Sequence, residues 1–330
     1  MKIRLMSDLH IDYNHKYKIT LPQDDVFTLI AGDISGIPVK TIDWINKNVK
    51  YGAFCAGNHI VYNPRVFDRV FPEAQTIETI KNKLHEAFPL DGNVTFLDYD
   101  VGVMCKQLDD KTLLIGDVMY TDYKLKIEYL NPKGNVKFNM SLAEPGNRCK
   151  TYLNDFVYGF TDKKKFSRGK DTIHNLWSLS SKYYKYHHNN AWKELTRIVE
   201  ENSDKNIIIM THHCLSTGCI SASYCNDSLN ASYVSDKDNW IKKHPNVKLI
   251  LSGHVHHRTN FKVGETQYVL NPLGYCRYHM LQMNPETGKS EMWTPYCHID
   301  TDTWELSYDS YDNEEWRNIR DMEDSFSLFF

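Results

Sequence analysis

Lys2-Ile3-Arg4-Leu5-Met6-Ser7-Asp8-Leu9-His10 opens the chain, and its reading decides the rest. Lys2–Ser7 is a compact, mostly apolar run of strand length, as found where a strand is covered on both faces. Directly behind it stand a carboxylate and an imidazole two positions apart, Asp8 and His10. Residues two apart on an extended backbone point to the same side, so the pair can grip one ion. A strand end is also where open α/β sheets place their ligands.

Four further islands repeat this pattern. Gly32-Asp33 follows the apolar run Val26–Ala31, and Gly57-Asn58-His59 follows Tyr51–Ala56, with Gly57 permitting a tight turn. Thr211-His212-His213 ends the run Asn206–Met210, and Gly253-His254-Val255-His256 ends Val247–Leu251. Each island alone reads equally well as a polar turn, a cap or an ordinary buried histidine. Five of them in order, each behind a strand, do not assemble by accident. They offer two carboxylates, an amide oxygen and several imidazoles, enough to hold two divalent metals. A nitrogen-and-oxygen set suits Mn, Fe, Zn, Co or Ni better than Ca or Cu(I), with Mn taken first here. A paired-metal site is fitted to the attack on phosphate esters.

Between the islands the chain alternates strands with helices, an α/β pattern. Val39–Val49 and Thr76–Phe88 carry apolar residues at helical spacing, the latter through Ile77, Ile80, Leu84 and Phe88. Val94–Leu97, Gly102–Leu108 and Thr112–Met119 read as strands. From about 120 to 181 the chain is polar and weakly periodic, an insertion of loops and short helices over the site. Ala191–Glu200 resumes a helix, and another is expected near Asp236–Lys243. Tyr268–Leu270, Tyr278–Met283 and His298–Ser307 read as further strands. Residues 1–308 are expected to form one domain, and 309–330 an acidic, aromatic tail whose Phe326–Phe330 can dock on the body or on a partner.

The bulk numbers narrow the class. With 330 residues and 41% hydrophobic side chains, the chain can fill a substantial core. A net charge of −3 gives no global pull toward nucleic acid or anionic lipid. Charged residues come too early for a signal-peptide core, and no apolar run has transmembrane length, so a soluble cytoplasmic protein is expected. The eight cysteines include no Cys-x-x-Cys pair and read as free thiols. Cys214, beside the histidine pair, reads as a small buried residue rather than a ligand.

The order Asp-x-His, Gly-Asp, Gly-Asn-His, a histidine-bearing strand end and Gly-His-x-His, over residues 8 to 256, resembles the calcineurin-like metallophosphoesterase superfamily. Leu176-Trp177 and Asn271-Pro272-Leu273-Gly274-Tyr275 resemble a bacterial and phage branch of unassigned substrate. The resemblance implies a four-layer αββα sandwich with the site at the strand ends. It implies that Asp8, His10, Asp33 and His256 hold one metal, and that Asp33, Asn58, His212 and His254 hold a second. Spacing does not choose between His212 and His213, since neighbours on a strand face opposite ways; the family pattern favours His212. His59 would face the substrate rather than bind metal, and a metal-held hydroxide would attack phosphorus in line, with His59 stabilising the transition state or protonating the leaving alkoxide. One position departs from the pattern. Ile60 stands where relatives often carry an acid that orients this histidine or caps the next helix.

The substrate signal is thinner. Arg258 and Arg277 are candidate phosphate contacts. Lys163-Lys164-Lys165 with Arg168 and Lys170 reads as a solvated run before it reads as a nucleic-acid contact. Tyr183-Tyr184-Lys185-Tyr186-His187-His188 could stack on a nucleobase or pack on the core. A small phosphate ester, a nucleotide or cyclic nucleotide among them, is the expected substrate. A nuclease of the same superfamily is the enzymatic alternative, and a non-catalytic scaffold the alternative from another class.

Overall fold

The structure, a computed structural model, describes residues 1–62, 75–125, 153–170, 175–225, 227–279, 281–283, 288–309 and 314–327. Among them two six-stranded sheets face each other. In the first, β1 (Lys2–Met6), β2 (Phe27–Ala31), β3 (Gly52–Cys55) and β4 (Val94–Phe96) run parallel, in the order written. The second centres on β6 (Thr112–Asp117), β10 (Asn206–Thr211), β11 (Val247–Ser252) and β13 (Thr266–Leu270), also parallel. Its antiparallel edges are β5 (Cys105–Gln107), beside β6, and β12 (Thr259–Val263), beside β13. β16 (Cys297–Asp300) and β17 (Leu306–Tyr308) extend the first sheet beyond β1.

Strand alternation explains the layers. Ile3, Leu5, Leu29 and Ala53 point one way and meet Leu114, Ile208, Met210 and Leu249 from the other sheet, all essentially unexposed. The opposite face of the first sheet packs on α1 (Pro38–Asn48) and α2 (Ile77–Ala87) through Trp44, Ile45, Ile80 and Leu84. The opposite face of the second packs on α4 (Ser181–Glu201) and α5 (Asp238–Lys243) through Leu195, Val199 and Ile241. The result is the expected four-layer αββα sandwich.

Several boundaries differ from the sequence reading, each for a physical reason. The helix read from Ala191 begins ten residues earlier, at Ser181. Its buried stripe starts with Tyr183, Tyr184, His187 and His188, side chains that a hydropathy count scores as polar. Tyr184 stacks on Tyr120 at 3.7 Å, so these rings serve the core rather than a nucleobase; Tyr186 alone of the three tyrosines is exposed. In the middle segment, a short helix α3 (Asn154–Tyr158) is joined by an antiparallel sheet of β7 (Phe160–Thr161), β8 (Ser167–Lys170) and β9 (Trp177–Leu179). Strands this short carry too few residues to show a period. Residues 126–152 and 171–174 of that segment lie outside the described residues.

Near the C-terminus, Tyr278–Met283 is not one strand: α6 (Cys276–His279) precedes β14 (Leu281–Met283), which pairs with β15 (Ser290–Met292). His298–Ser307 is a hairpin, turned where the Asp302 amide donates to Asp300 and the Glu305 amide to Thr303. α7 (Glu314–Ser327) follows, with Trp316 buried against Trp293 and Tyr17. The phenylalanines at 326 to 330 lie outside the described side chains. No helix among the described residues is long and apolar enough to cross a membrane. No disulfide joins the described cysteines, and the Cys214 thiol donates to the Gly253 carbonyl.

Candidate metal centre

All five islands converge at one end of the paired sheets. The first sheet brings Asp8, His10, Asp33, Asn58 and His59, just beyond β1, β2 and β3. The second brings His212, His254 and His256 from beyond β10 and β11.

Local backbone geometry differs from the strand argument that suggested it. Asp8 and His10 lie past the end of β1, and both adopt left-handed backbone, with φ of 54° and 44°. Asp33, His254 and His256 do the same, at 52°, 72° and 46°. Non-glycine residues rarely take this region, although Asp and His tolerate it better than most. Sharp kinks therefore turn these side chains inward, where simple alternation would not. Gly57 needs another explanation too. Its φ is −104°, open to any residue, but a Cβ there would collide with the Asp33 carboxylate. Its missing side chain lets the asparagine loop close onto Asp33. Gly57→Ala is expected to cost about 1–3 kcal/mol, as overpacking a tight site does. Urea unfolding of the metal-free protein measures this, and unchanged stability would show that the carboxylate can move aside.

The donors form clusters that meet at Asp33. Three groups each bring one ligand atom per residue to within 4.8 Å of one another: Asp8, His10 and His256; His10, Asp33 and His59; and Asp33, His212 and His254. His10 Nε2 lies 2.8 Å from His256 Nε2, and Asp8 Oδ1 is 3.4 Å from the latter. Asp33 Oδ2 is 3.3 Å from His212 Nε2, 3.8 Å from His59 Nε2 and 3.9 Å from His10 Nε2. Asn58 Oδ1 faces His212 Nε2 at 2.9 Å. His212 Nδ1 is fixed by the Ala31 carbonyl at 2.9 Å, leaving Nε2 for the cluster. His213 instead turns Nδ1 to the Val118 carbonyl, at 3.3 Å.

The electrostatics suit a cation. Burial opposes charge on Asp33, yet the imidazoles of His59, His212 and His10 hold its carboxyl well below the usual range. Burial would likewise lower His212, but the Asp33 carboxylate pushes it up to about 9. His10 and His254 are held well below the usual imidazole range, first by burial and then by neighbouring histidines. Such rings are neutral, and a neutral imidazole is the form that binds a metal. Facing nitrogens with carboxylates between them are a donor set that divalent ions fit.

Other residues complete the site, and the sequence reading passed over them. Tyr62 stacks on His59 with ring centroids 4.1 Å apart, and the Tyr275 hydroxyl is 3.4 Å from His59 Nε2. Tyr275 arrives because Leu273 and Gly274 amides donate to the Ser7 and Asp8 carbonyls, tying this segment to the first island. The Asn271-to-Tyr275 stretch was the available signal. Ile60 is buried in the core, and His59 Nδ1 has no hydrogen-bond partner among the described residues. Stacking, rather than an adjacent acid, orients this ring.

Arg258 must be corrected. It is 2% exposed, and its guanidinium donates to the Met283 and Gln282 carbonyls. That clamps β14 and leaves no fork for a phosphate. Arg277 is exposed and lines a cleft of about 410 Å³ with Tyr13, His15, Lys16, Tyr275 and Tyr278. A second cleft, of about 510 Å³, opens beside His254 and His256 and includes Tyr224, Asn230 and Tyr233. In the basic run, Lys164 and Lys170 lie over the Trp177 ring and Lys165 over Phe166 and Tyr186. A fourth cluster, Asp98, Asp100 and His187, already holds a cation: the buried Lys81 ammonium is 2.9 Å from Asp98 and 2.8 Å from Asp100.

A phosphopantetheinyl hydrolase from Mycobacterium tuberculosis superposes with a TM-score of 0.56 at 14% identity, covering 83% of this chain and 89% of its own. At that identity the likeness is one of fold. A putative 5'-nucleotidase from Staphylococcus aureus (TM-score 0.40, 13% identity) and a Haemophilus influenzae NAD nucleotidase (0.36, 11%) align over 98% of this chain. The chain spans only 58% and 56% of those two proteins. No curated protein matches the sequence. The family model for calcineurin-like phosphoesterases matches residues 1–258. The chain belongs to the calcineurin-like phosphoesterase family and is a metal-dependent phosphoester hydrolase.

Proposed function

We propose that this protein hydrolyses a small phosphate ester, of nucleotide or cyclic-nucleotide type, with two divalent ions, Mn first among them. Asp8, His10, Asp33 and His256 would hold one ion, and Asp33, Asn58, His212 and His254 the other. The observation that carries this reading is that the donor clusters Asp8–His10–His256 and Asp33–His212–His254 stand side by side, with Asp33 Oδ2 3.9 Å from His10 Nε2. When bound, such ions neutralise phosphoryl oxygens and lower the pKa of the attacking water.

The chain's own residues supply the rest. His59 Nε2 lies within reach of the Asp33 carboxylate and of the Tyr275 hydroxyl. It is placed to give a proton to the departing alkoxide. Tyr13 and Tyr275 stand between the cluster and the Arg277 cleft, where an aromatic or second anionic part of the substrate would lie. Both clefts fall in the size range of small-molecule sites, which favours a small ester over a polymer. The same reading treats 1–308 as one catalytic domain and 309–330 as an appended tail.

The test is metal analysis together with a phosphoester panel in Mn(II): p-nitrophenyl phosphate, bis-p-nitrophenyl phosphate, cyclic nucleotides and single-stranded DNA. Two ions per chain and turnover of a small ester are expected. Cleavage of DNA alone would favour a nuclease, and no metal with no cleavage would favour a scaffold. Arg277→Ala is expected to raise KM about tenfold with little change in kcat, the loss of one charged contact made equally in ground and transition states. Unchanged KM across the panel would remove Arg277 from the substrate site.

A further inference from the structure

Asn58 poses a choice that a carboxylate ligand does not. Only its amide oxygen can serve a cation, and half a turn about the last side-chain bond would present the NH2 group instead. The middle segment makes that choice here. Asn58 Nδ2 donates to Asp155 Oδ1 at 2.8 Å and to the Tyr62 hydroxyl at 3.2 Å. With both amide hydrogens engaged on that side, Oδ1 is left facing His212 Nε2.

Asp155 is firmly placed. It sits on α3 and is 2% exposed, and its neighbour Phe156 is fully buried against Tyr184. The Gly159 carbonyl at the end of this helix accepts from the Leu179 amide. The Asp155 carboxylate also accepts from the Tyr62 hydroxyl, the ring that stacks on His59. The position after His59 is the buried apolar Ile60, so no acid adjacent in sequence can do this work.

Resting on the ligand assignment above, we propose that Asp155 is a positioning residue that holds the Asn58 amide oxygen toward the second metal and, through Tyr62, steadies the His59 ring. Groups that orient metal ligands in this way are generally worth 10–100-fold in metal affinity.

The test is calorimetric titration of Mn(II) into metal-stripped protein. Asp155→Leu is expected to weaken one of the two Mn(II) sites about 10–100-fold and to leave the other unchanged. In the Asn58→Asp background the effect should reverse. A carboxylate at 58 has no wrong flip, and removing Asp155 relieves two like charges facing each other, so Asp155→Leu should tighten Mn(II) there. A loss of similar size in both backgrounds would indicate general damage and overturn the proposal, as would wild-type affinity in Asp155→Leu alone. If Asp155→Leu does not fold, Asp155→Asn in the Asn58→Asp background decides. Tighter Mn(II) supports the role, and unchanged or weaker binding overturns it. Failure of the underlying assignment looks different: Asn58→Ala itself would then leave Mn(II) affinity unchanged, and the role of Asp155 would fall with it. A sensitive Asn58→Ala beside an indifferent Asp155→Leu removes Asp155 only.

Discussion

Asp33→Asn is expected to lower metal-dependent hydrolysis by about a thousandfold or more, on the order of 4 kcal/mol of transition-state stabilisation. The Asp33 carboxylate stands among histidines from both sheets. One carboxylate oxygen is shared among His10, His59 and His212, and the other accepts the His59 backbone amide. Losing its charge removes the anion that anchors the Asp33–His212–His254 cluster and reaches His10 of the other. Asparagine is the informative replacement because it tolerates the left-handed backbone at this position, so the fold should survive. Elemental analysis should then find fewer than two ions per chain, with kcat/KM falling in parallel. Full metal content with wild-type turnover would remove Asp33 from the shared position.

His59→Ala is expected to do something separable: the metals stay and turnover falls about 10²–10⁴-fold, the usual worth of a general acid. The contact that ties this loop to Asp33 comes from the His59 main-chain amide, which alanine keeps. The loss should depend on the leaving group. A p-nitrophenolate departs without a proton and should be spared most of it, whereas an alkoxide needs the proton and should show the full loss. An equal loss on both substrates would argue for transition-state stabilisation by charge instead. Loss of metal in the variant would make His59 a ligand, which its 3.8 Å approach to Asp33 also permits geometrically.

The sequence exposed the donors and not their supports. Metal ligation restricts residue type, so Asp8, His10, Asp33, Asn58, His212, His254 and His256 stood out behind apolar runs and do meet in space. Spacing left His212 and His213 undecided; in the structure His212 Nδ1 meets the Ala31 carbonyl with Nε2 toward Asn58, while His213 Nδ1 meets the Val118 carbonyl. The reason given for Asp8 and His10 sharing a side was extended backbone, whereas the structure uses left-handed kinks. Asp155 and Tyr62 were invisible because nothing local marks their roles, and Tyr275 was legible only as the end of the Asn271-to-Tyr275 stretch. Asp155 lies 97 positions from Asn58, and Tyr275 lies 216 from His59. Arg258 looked like a phosphate contact because charge is legible in a sequence and burial is not. The long helix from Ser181 was missed at its start because tyrosine and histidine there fill a core stripe.

The kinked backbone of the site has a further meaning. Each left-handed residue other than glycine carries about 1–2 kcal/mol of conformational strain, and five of the proposed metal ligands share it. Glycine at His10, His254 or His256 would relax the chain while deleting a donor. Heat resistance and catalysis therefore pull in opposite directions at these positions, as they often do in enzymes. A screen that rewards only a higher melting temperature would drift toward a sturdier protein without a reaction. The histidines persist only where turnover itself is under selection.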